Sequence, residues 1–156
     1  SDKAETYRVL GVPVLADLLP GRGNLGGLYT AIASATHPLV AVVACDMPFV
    51  STRLIEGQRD LLLLQDADVV IPRSTEGLEP LHSLYRKETC SPAIRSALDE
   101  NKKRMISWFP AVKVVEMSPD QVAVFDPDQR AFINVNTPEE FLEAEQLAQK
   151  ETPTNY

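Results

Sequence analysis

The stretch LVAVVACDMPFVS, residues 39–51, decides the reading of the fold. Leu39 to Cys45 is a continuous apolar run rich in β-branched residues, the pattern of a strand covered on both faces. Asp46 follows directly, and Pro48 disfavours a helical conformation at Met47, so the chain must turn there. Ser51 then stands as a cap for a helix over 52–64, with Glu56, Gln58, Arg59 and Asp60 on its wet side. A buried strand, an acidic turn and a capped helix in succession predict an α/β layered domain. In such domains ligands sit beyond the carboxyl ends of the strands, the edge on which this order places Asp46.

The flanking sequence extends the same alternation. Before the central stretch, residues 2–10 read as the end of a helix closed by Gly11, 12–15 as a short strand, 17–24 as a loop and 25–35 as a helix. After it come strands at 68–72, 80–85 and 112–117, a helix opening near Pro92 and running to about Glu100, and a turn at 105–109. The closing helix spans 138–150 behind the cap Thr137. The fold class predicted is α/β with a mostly parallel sheet, in one domain over 1–150 with a polar, flexible tail at 151–156.

Composition excludes several kinds of protein. The 156 residues fit one domain, and 15 basic against 22 acidic residues give a net charge of −7. That balance argues against a general binder of nucleic acid or anionic membrane, although one helix terminus or one metal can still hold a phosphate. No apolar run is long enough to span a bilayer. Cys45 and Cys90 form no framework, so both are read as reduced thiols in a cytoplasmic setting.

Three segments carry candidate chemistry. Four of the seven glycines (Gly21, Gly23, Gly26 and Gly27) crowd into PGRGNLGGLYTAI, where missing Cβ atoms admit either a ligand before a helix N-terminus or a close helix-to-sheet contact. Asp46 suits a hard metal held by one carboxylate plus substrate phosphates, or else bonds to loop amides. In FINVNTPEEF, Asn134 and Asn136 are two apart, so an extended chain points both amides to one face, unless they form Asx turns. Thr137 and Glu140 in the same segment read as a capping box, with Pro138 as the first helical residue.

Other residues carry weaker signals. His37 reads as a surface residue, and Trp108 and Phe109 as core. His82, in a strand of mixed polarity, is a candidate substrate contact. Lys102, Lys103 and Arg104 follow a helix, where they complement its negative end or hold an anion. No Ser/His/Asp or Cys/His arrangement is visible.

Taken together, LADLLPGRGNLGGLYTAI, VVACDMPFVS, EPLHSLYR and FINVNTPEEF resemble, in that order, segments of the molybdenum cofactor guanylyltransferases. The resemblance implies a Rossmann-like three-layer α/β/α nucleotidyltransferase fold. It also implies GTP and Mg²⁺ as substrate and cofactor, molybdopterin as acceptor, and transfer of GMP to the pterin's phosphate with release of pyrophosphate. By matched positions Asp46 would bind Mg²⁺ and nucleotide and act in catalysis, with Asp17, Gly23 and Gly26 as further nucleotide contacts. Asn134, Asn136, His82 and Arg104 are carried as second-substrate candidates. Molybdoenzyme maturation proteins would be its protein partners.

Some features depart from the family. The proline of its GPLAG segment is Asn24 and the alanine is Gly26. Its Gly-Gly-x-Ser-x-Arg-Met-Gly-x-Asp-Lys loop does not occur, so the reading expects that a strand–helix–strand unit, about 30 residues or more, precedes the sequence shown. Two alternatives stay open at this point: cytidylyl transfer to molybdopterin, and a non-catalytic binding module of the same fold.

Overall fold

The computed structural model describes residues 11–151, so the helix read at 2–10 and the tail beyond 151 lie outside the described residues. Five strands are formed: β1 (Leu39–Val43), β2 (Val69–Ser74), β3 (Gly77–Leu78), β4 (His82–Arg86) and β5 (Val114–Met117). The helices are α1 (Gly23–Ser34), α2 (Thr52–Gln65), α3 (Lys87–Asp99), α4 (Pro119–Phe125) and α5 (Pro138–Glu151). The sheet runs β1–β4–β2–β5, and β3 folds back on the end of β2.

The strands alternate their side chains between two apolar clusters. Val42, Val69, Ile71 and Tyr85 face α1 and α3, meeting Leu25, Leu28, Ile32 and Ile94. Val70, Leu84 and Met117 face α2 and α4, meeting Leu54, Leu62 and Val122. This is the expected three-layer arrangement. Each fully buried side chain of this kind, such as Ile71 or Leu54, contributes roughly 1.5–3 kcal/mol.

Strand direction corrects one expectation. β1, β2 and β5 run the same way, but β4 is inserted between β1 and β2 in the opposite sense. The β1/β4, β2/β4 and β2/β3 pairs are therefore antiparallel, and only β2/β5 is parallel among the described residues. The sheet is thus mixed rather than mostly parallel. The physical reason is the connection over 75–81, which is too short for the helical crossover that parallel neighbours require.

Three smaller corrections follow. Residues 12–15 form no strand, because none of the described residues pairs with them, and Val12, Val14 and Leu15 are exposed. β1 is covered along one face but only at its start on the other: Val42 is buried and Leu39 packs against the α2 side, whereas Ala41 and Val43 are exposed. The helix assigned to Pro92 begins at Lys87, straight out of β4, and carries the proline inside it. The helix α4 opens on a signal carried by local sequence. Ser118-x-x-Gln121 is a reciprocal capping box (3.3 and 2.9 Å), with Pro119 opening α4.

Local signals elsewhere hold. Ser51 accepts from the Leu54 N–H at 3.1 Å to start α2. Trp108 is buried, His37 is exposed, and no described helix is long and apolar enough to cross a membrane.

Candidate functional site

The carboxyl end of β1 and the amino end of α1 lie side by side. A groove between them is lined by Gly23, Asn24, Gly27 and Leu28 from the helix, by Val42 and Val43 of β1 and by Leu81 just before β4. Asp46 sits just beyond, on a loop secured at both ends. The Ala44 N–H donates to the Leu81 carbonyl at 3.0 Å, and Met47 is buried. The Asp46 carboxylate is half-buried and has no hydrogen-bond or ion-pair partner among the described residues. Its backbone carbonyl accepts from the Val135 N–H at 2.8 Å. That bond crosses from the strand-end turn to the Asn-rich segment and sets Asn134 and Asn136 on either side of it.

Both asparagines are exposed, and neither side-chain amide makes a hydrogen bond among the described residues, so the Asx-turn alternative does not hold. No strand forms there; a single backbone bond to Asp46 holds the segment, and the capping box of α5 fixes its far end. Glu140 Oε2 accepts from the N–H groups of Asn136 (2.7 Å) and Thr137 (3.1 Å), while Thr137 Oγ1 accepts from the Glu140 N–H. Asn134 also lines a polar cavity of about 260 Å³ with Ser74, Glu76, Glu79 and Phe132.

The glycine-rich loop is held from behind. The Leu18 N–H donates to Thr30 Oγ1 at 3.0 Å, and Thr30 donates to the Gly26 carbonyl. Gly21 and Gly23 adopt φ of +77° and +60°, which favour glycine. Gly26 lacks a side chain for a reason internal to the helix start. A Cβ there would lie 2.7 Å from Arg22 Cβ, so the helix start itself requires a glycine at this position. Gly27, a member of the same cluster, opens on the groove together with Gly23. Asp17 is exposed, one residue before the Leu18–Thr30 bond.

Beside this loop is a basic cavity of about 250 Å³, lined by Gly21, Arg22, Gly23, Asn101, Lys102 and Lys103. Arg22 Nη1 donates to Asn101 Oδ1 (2.9 Å) and to the Leu98 carbonyl (3.3 Å), tying the loop to the end of α3. No side chain caps α1, so its first N–H groups open toward this end. Arg104 lies beyond the cavity, in the turn where its carbonyl accepts from Ser107, and it is Lys102 and Lys103 that line the wall. The site edge is therefore polarised, basic beside the glycine loop and acidic around Glu76 and Glu79.

His82 is not in the cleft. It is fully buried, its Nε2 accepts from the Ser51 N–H at 3.4 Å, and its carbonyl accepts from buried Gln58 at 2.8 Å. Burial pushes its pKa down, against a backbone hydrogen bond and the Asp126 charge that raise it. The expected direct contact with substrate is corrected: the lack of exposure puts the ring behind the site. Gln58, expected on the wet side, lies on the buried face of α2 four residues from both Leu54 and Leu62, a spacing already present in the sequence. Cys45 is exposed, whereas burial pushes the Cys90 thiol up to about 12.

A single uncommitted carboxylate fits the Mg²⁺ that the resemblance implies. Mg²⁺ is commonly held by one or two carboxylates plus substrate phosphates, and Asp46 is an oxygen donor not committed to any other described group.

A mixed α/β sheet with an acidic turn and a glycine-rich helix entry at one edge defines a nucleotidyltransferase-type domain. The chain belongs to the MobA-like NTP transferase domain family, whose model matches residues 1–114. It is 34% identical over 140 residues to a probable molybdenum cofactor guanylyltransferase of Pelotomaculum thermopropionicum, covering 90% of this chain and 67% of that one. A molybdenum cofactor guanylyltransferase of Desulfosudis oleivorans is 32% identical, covering 83% of this chain and 63% of its own length. The fold matches that of molybdopterin-guanine dinucleotide biosynthesis protein A from Archaeoglobus fulgidus, with a TM-score of 0.79 and 24% identity, covering 96% of this chain and 75% of that one.

Proposed function

We propose that this protein transfers GMP from GTP to the phosphate of molybdopterin, with Mg²⁺, releasing pyrophosphate. The observation that carries the reading is the Asp46–Val135 bond. It joins a carboxylate without a partner among the described residues to the two asparagines, so nucleotide-side and acceptor-side groups meet at one point. The names of the relatives support the choice of donor and acceptor.

Transfer of this kind needs positioning and charge neutralisation rather than a nucleophilic side chain. Asp46 would hold Mg²⁺, which supplies neutralisation of the phosphate charge when bound. The groove lined by Gly23 and Gly27 takes the nucleotide, with Asp17 as a further contact carried from the resemblance, and the uncapped start of α1 offers N–H donors to phosphate. Asn134 and Asn136 orient the acceptor, whose phosphate attacks the α-phosphorus in line with departing pyrophosphate. Lys102, Lys103 and Arg104 attract the anionic partner to the basic end. The setting that goes with this reading is the cytoplasm, with molybdoenzyme maturation proteins taking the product.

The test is transfer of label from α-labelled GTP to molybdopterin by the full-length protein, with CTP as competitor. Labelled dinucleotide that excess CTP does not suppress supports the reading. Suppression by CTP instead supports cytidylyl transfer, and binding of nucleotide without any transfer supports a binding module.

A further inference from the structure

We propose that His82 and Gln58 form a buried polar brace that fixes the spacing of the Asp46 loop and the Asn134–Asn136 segment, which makes His82 a positioning residue for the transfer. The inference rests on the functional reading above.

The geometry converges on one side chain. In the β1/β4 register His82 lies opposite Val43, the last strand residue before the acidic turn. The Ala44 N–H is held by the carbonyl of the neighbouring Leu81, and the Ser51 N–H by His82 Nε2, so the loop 44–51 is gripped at both ends by the start of β4 and the residue before it. The other lip touches the same ring. Phe132 meets His82 edge-on, with centroids 5.7 Å apart at 85°. Phe132 ends the short 3-10 turn Arg130–Phe132, which buried Asp126 secures by accepting from Arg130 N (3.2 Å) and Ala131 N (2.9 Å). Asn134 follows two residues later.

Packing alone does not account for this choice of residues. His82 and Gln58 are both fully buried, and desolvating an imidazole and an amide is unfavourable where an aliphatic side chain would fill the same space. Gln58 Nε2 donates to the His82 carbonyl at 2.8 Å and holds the backbone beneath the ring. Because Nε2 accepts from Ser51, the neutral ring carries its proton on Nδ1. His82 Nδ1 and Gln58 Oε1 are the two buried polar side-chain atoms left without a partner among the described residues, one a donor and the other an acceptor. Burial favours the neutral ring, the form able to accept from Ser51.

The test compares His82→Gln with His82→Asn in the full chain. A glutamine amide oxygen can reach the place of Nε2, whereas asparagine reaches only that of Nδ1. His82→Gln should keep slow hydrogen exchange at the Ser51 amide and transfer GMP within about threefold of wild type. His82→Asn should lose that protection and roughly 10- to 100-fold in kcat, as expected of misplacement, with little change in KM for GTP. A folded His82→Asn protein that keeps both properties overturns the proposal. So does a wild-type Ser51 amide that exchanges as fast as that of exposed Val50, a measurement that needs no variant. If the wild type transfers no GMP, the functional reading fails, and the exchange of Ser51 decides the brace by itself.

Discussion

The Val135 N–H donates to the Asp46 carbonyl at 2.8 Å, and this backbone bond joins the two lips of the candidate site. Its consequence is a separation of duties within Asp46. The backbone is structural, while the carboxylate has no partner among the described residues and is left for a ligand.

Asp46→Asn should therefore leave the fold intact and abolish function. Loss of an unpaired carboxylate removes no native contact, so the melting temperature should stay within about 2 °C of wild type, as for a neutral surface change. GMP transfer should fall roughly 10²-fold or more, the scale of losing a group that stabilises transition-state charge. Turnover close to wild type in this variant would remove Asp46 from the site.

Gly57→Ala should destabilise the protein. The added Cβ would stand 2.6 Å from the Phe125 ring, where α2 meets α4. Overpacking of this kind costs typically about 1–3 kcal/mol. Denaturant unfolding should show the loss, and adding Phe125→Leu should recover part of it.

Gly27→Ala should move stability and binding in opposite directions. Nothing lies within 4 Å of a Cβ at this helical position. Helix propensity therefore predicts a gain of roughly 0.5–1 kcal/mol. The same methyl would stand in the groove between α1 and β1, so GTP should bind more weakly by calorimetry. Unchanged affinity would place the nucleotide elsewhere.

Acidification should weaken the fold through His82. Burial lowers its folded pKa below the ordinary 6.5, so between those two values the unfolded chain binds the proton and the native one does not. This contribution to stability is full above pH 6.5 and is lost as the pH falls toward and through the folded value. Melting curves should show a decline over that interval that His82→Gln lacks. An identical pH profile in the variant would mean that the ring is not held neutral.

The two thiols should behave differently. Cys45 is exposed, and Cys90 is buried with its pKa pushed up to about 12. A thiol reagent at neutral pH should modify Cys45 in the native protein and reach Cys90 only after unfolding. Fast reaction at both would contradict the burial of Cys90.

Local chemistry made much of this protein legible in its sequence. Ser51 before α2, the Thr137–Glu140 box before α5 and the apolar run of β1 act within a few residues, where periodicity and capping are sufficient signals. The Ser118–Gln121 box was equally readable. The glycine cluster and Asp46 were recognisable because a strand end followed by a turn has one address in an α/β domain. Tertiary structure alone decided that β4 enters between β1 and β2 and that His82 lies behind the site. It also decided that Val135 bonds Asp46. Those outcomes depend on backbone pairing and burial between segments far apart in the chain, and no local pattern records which distant strand or loop will supply the partner.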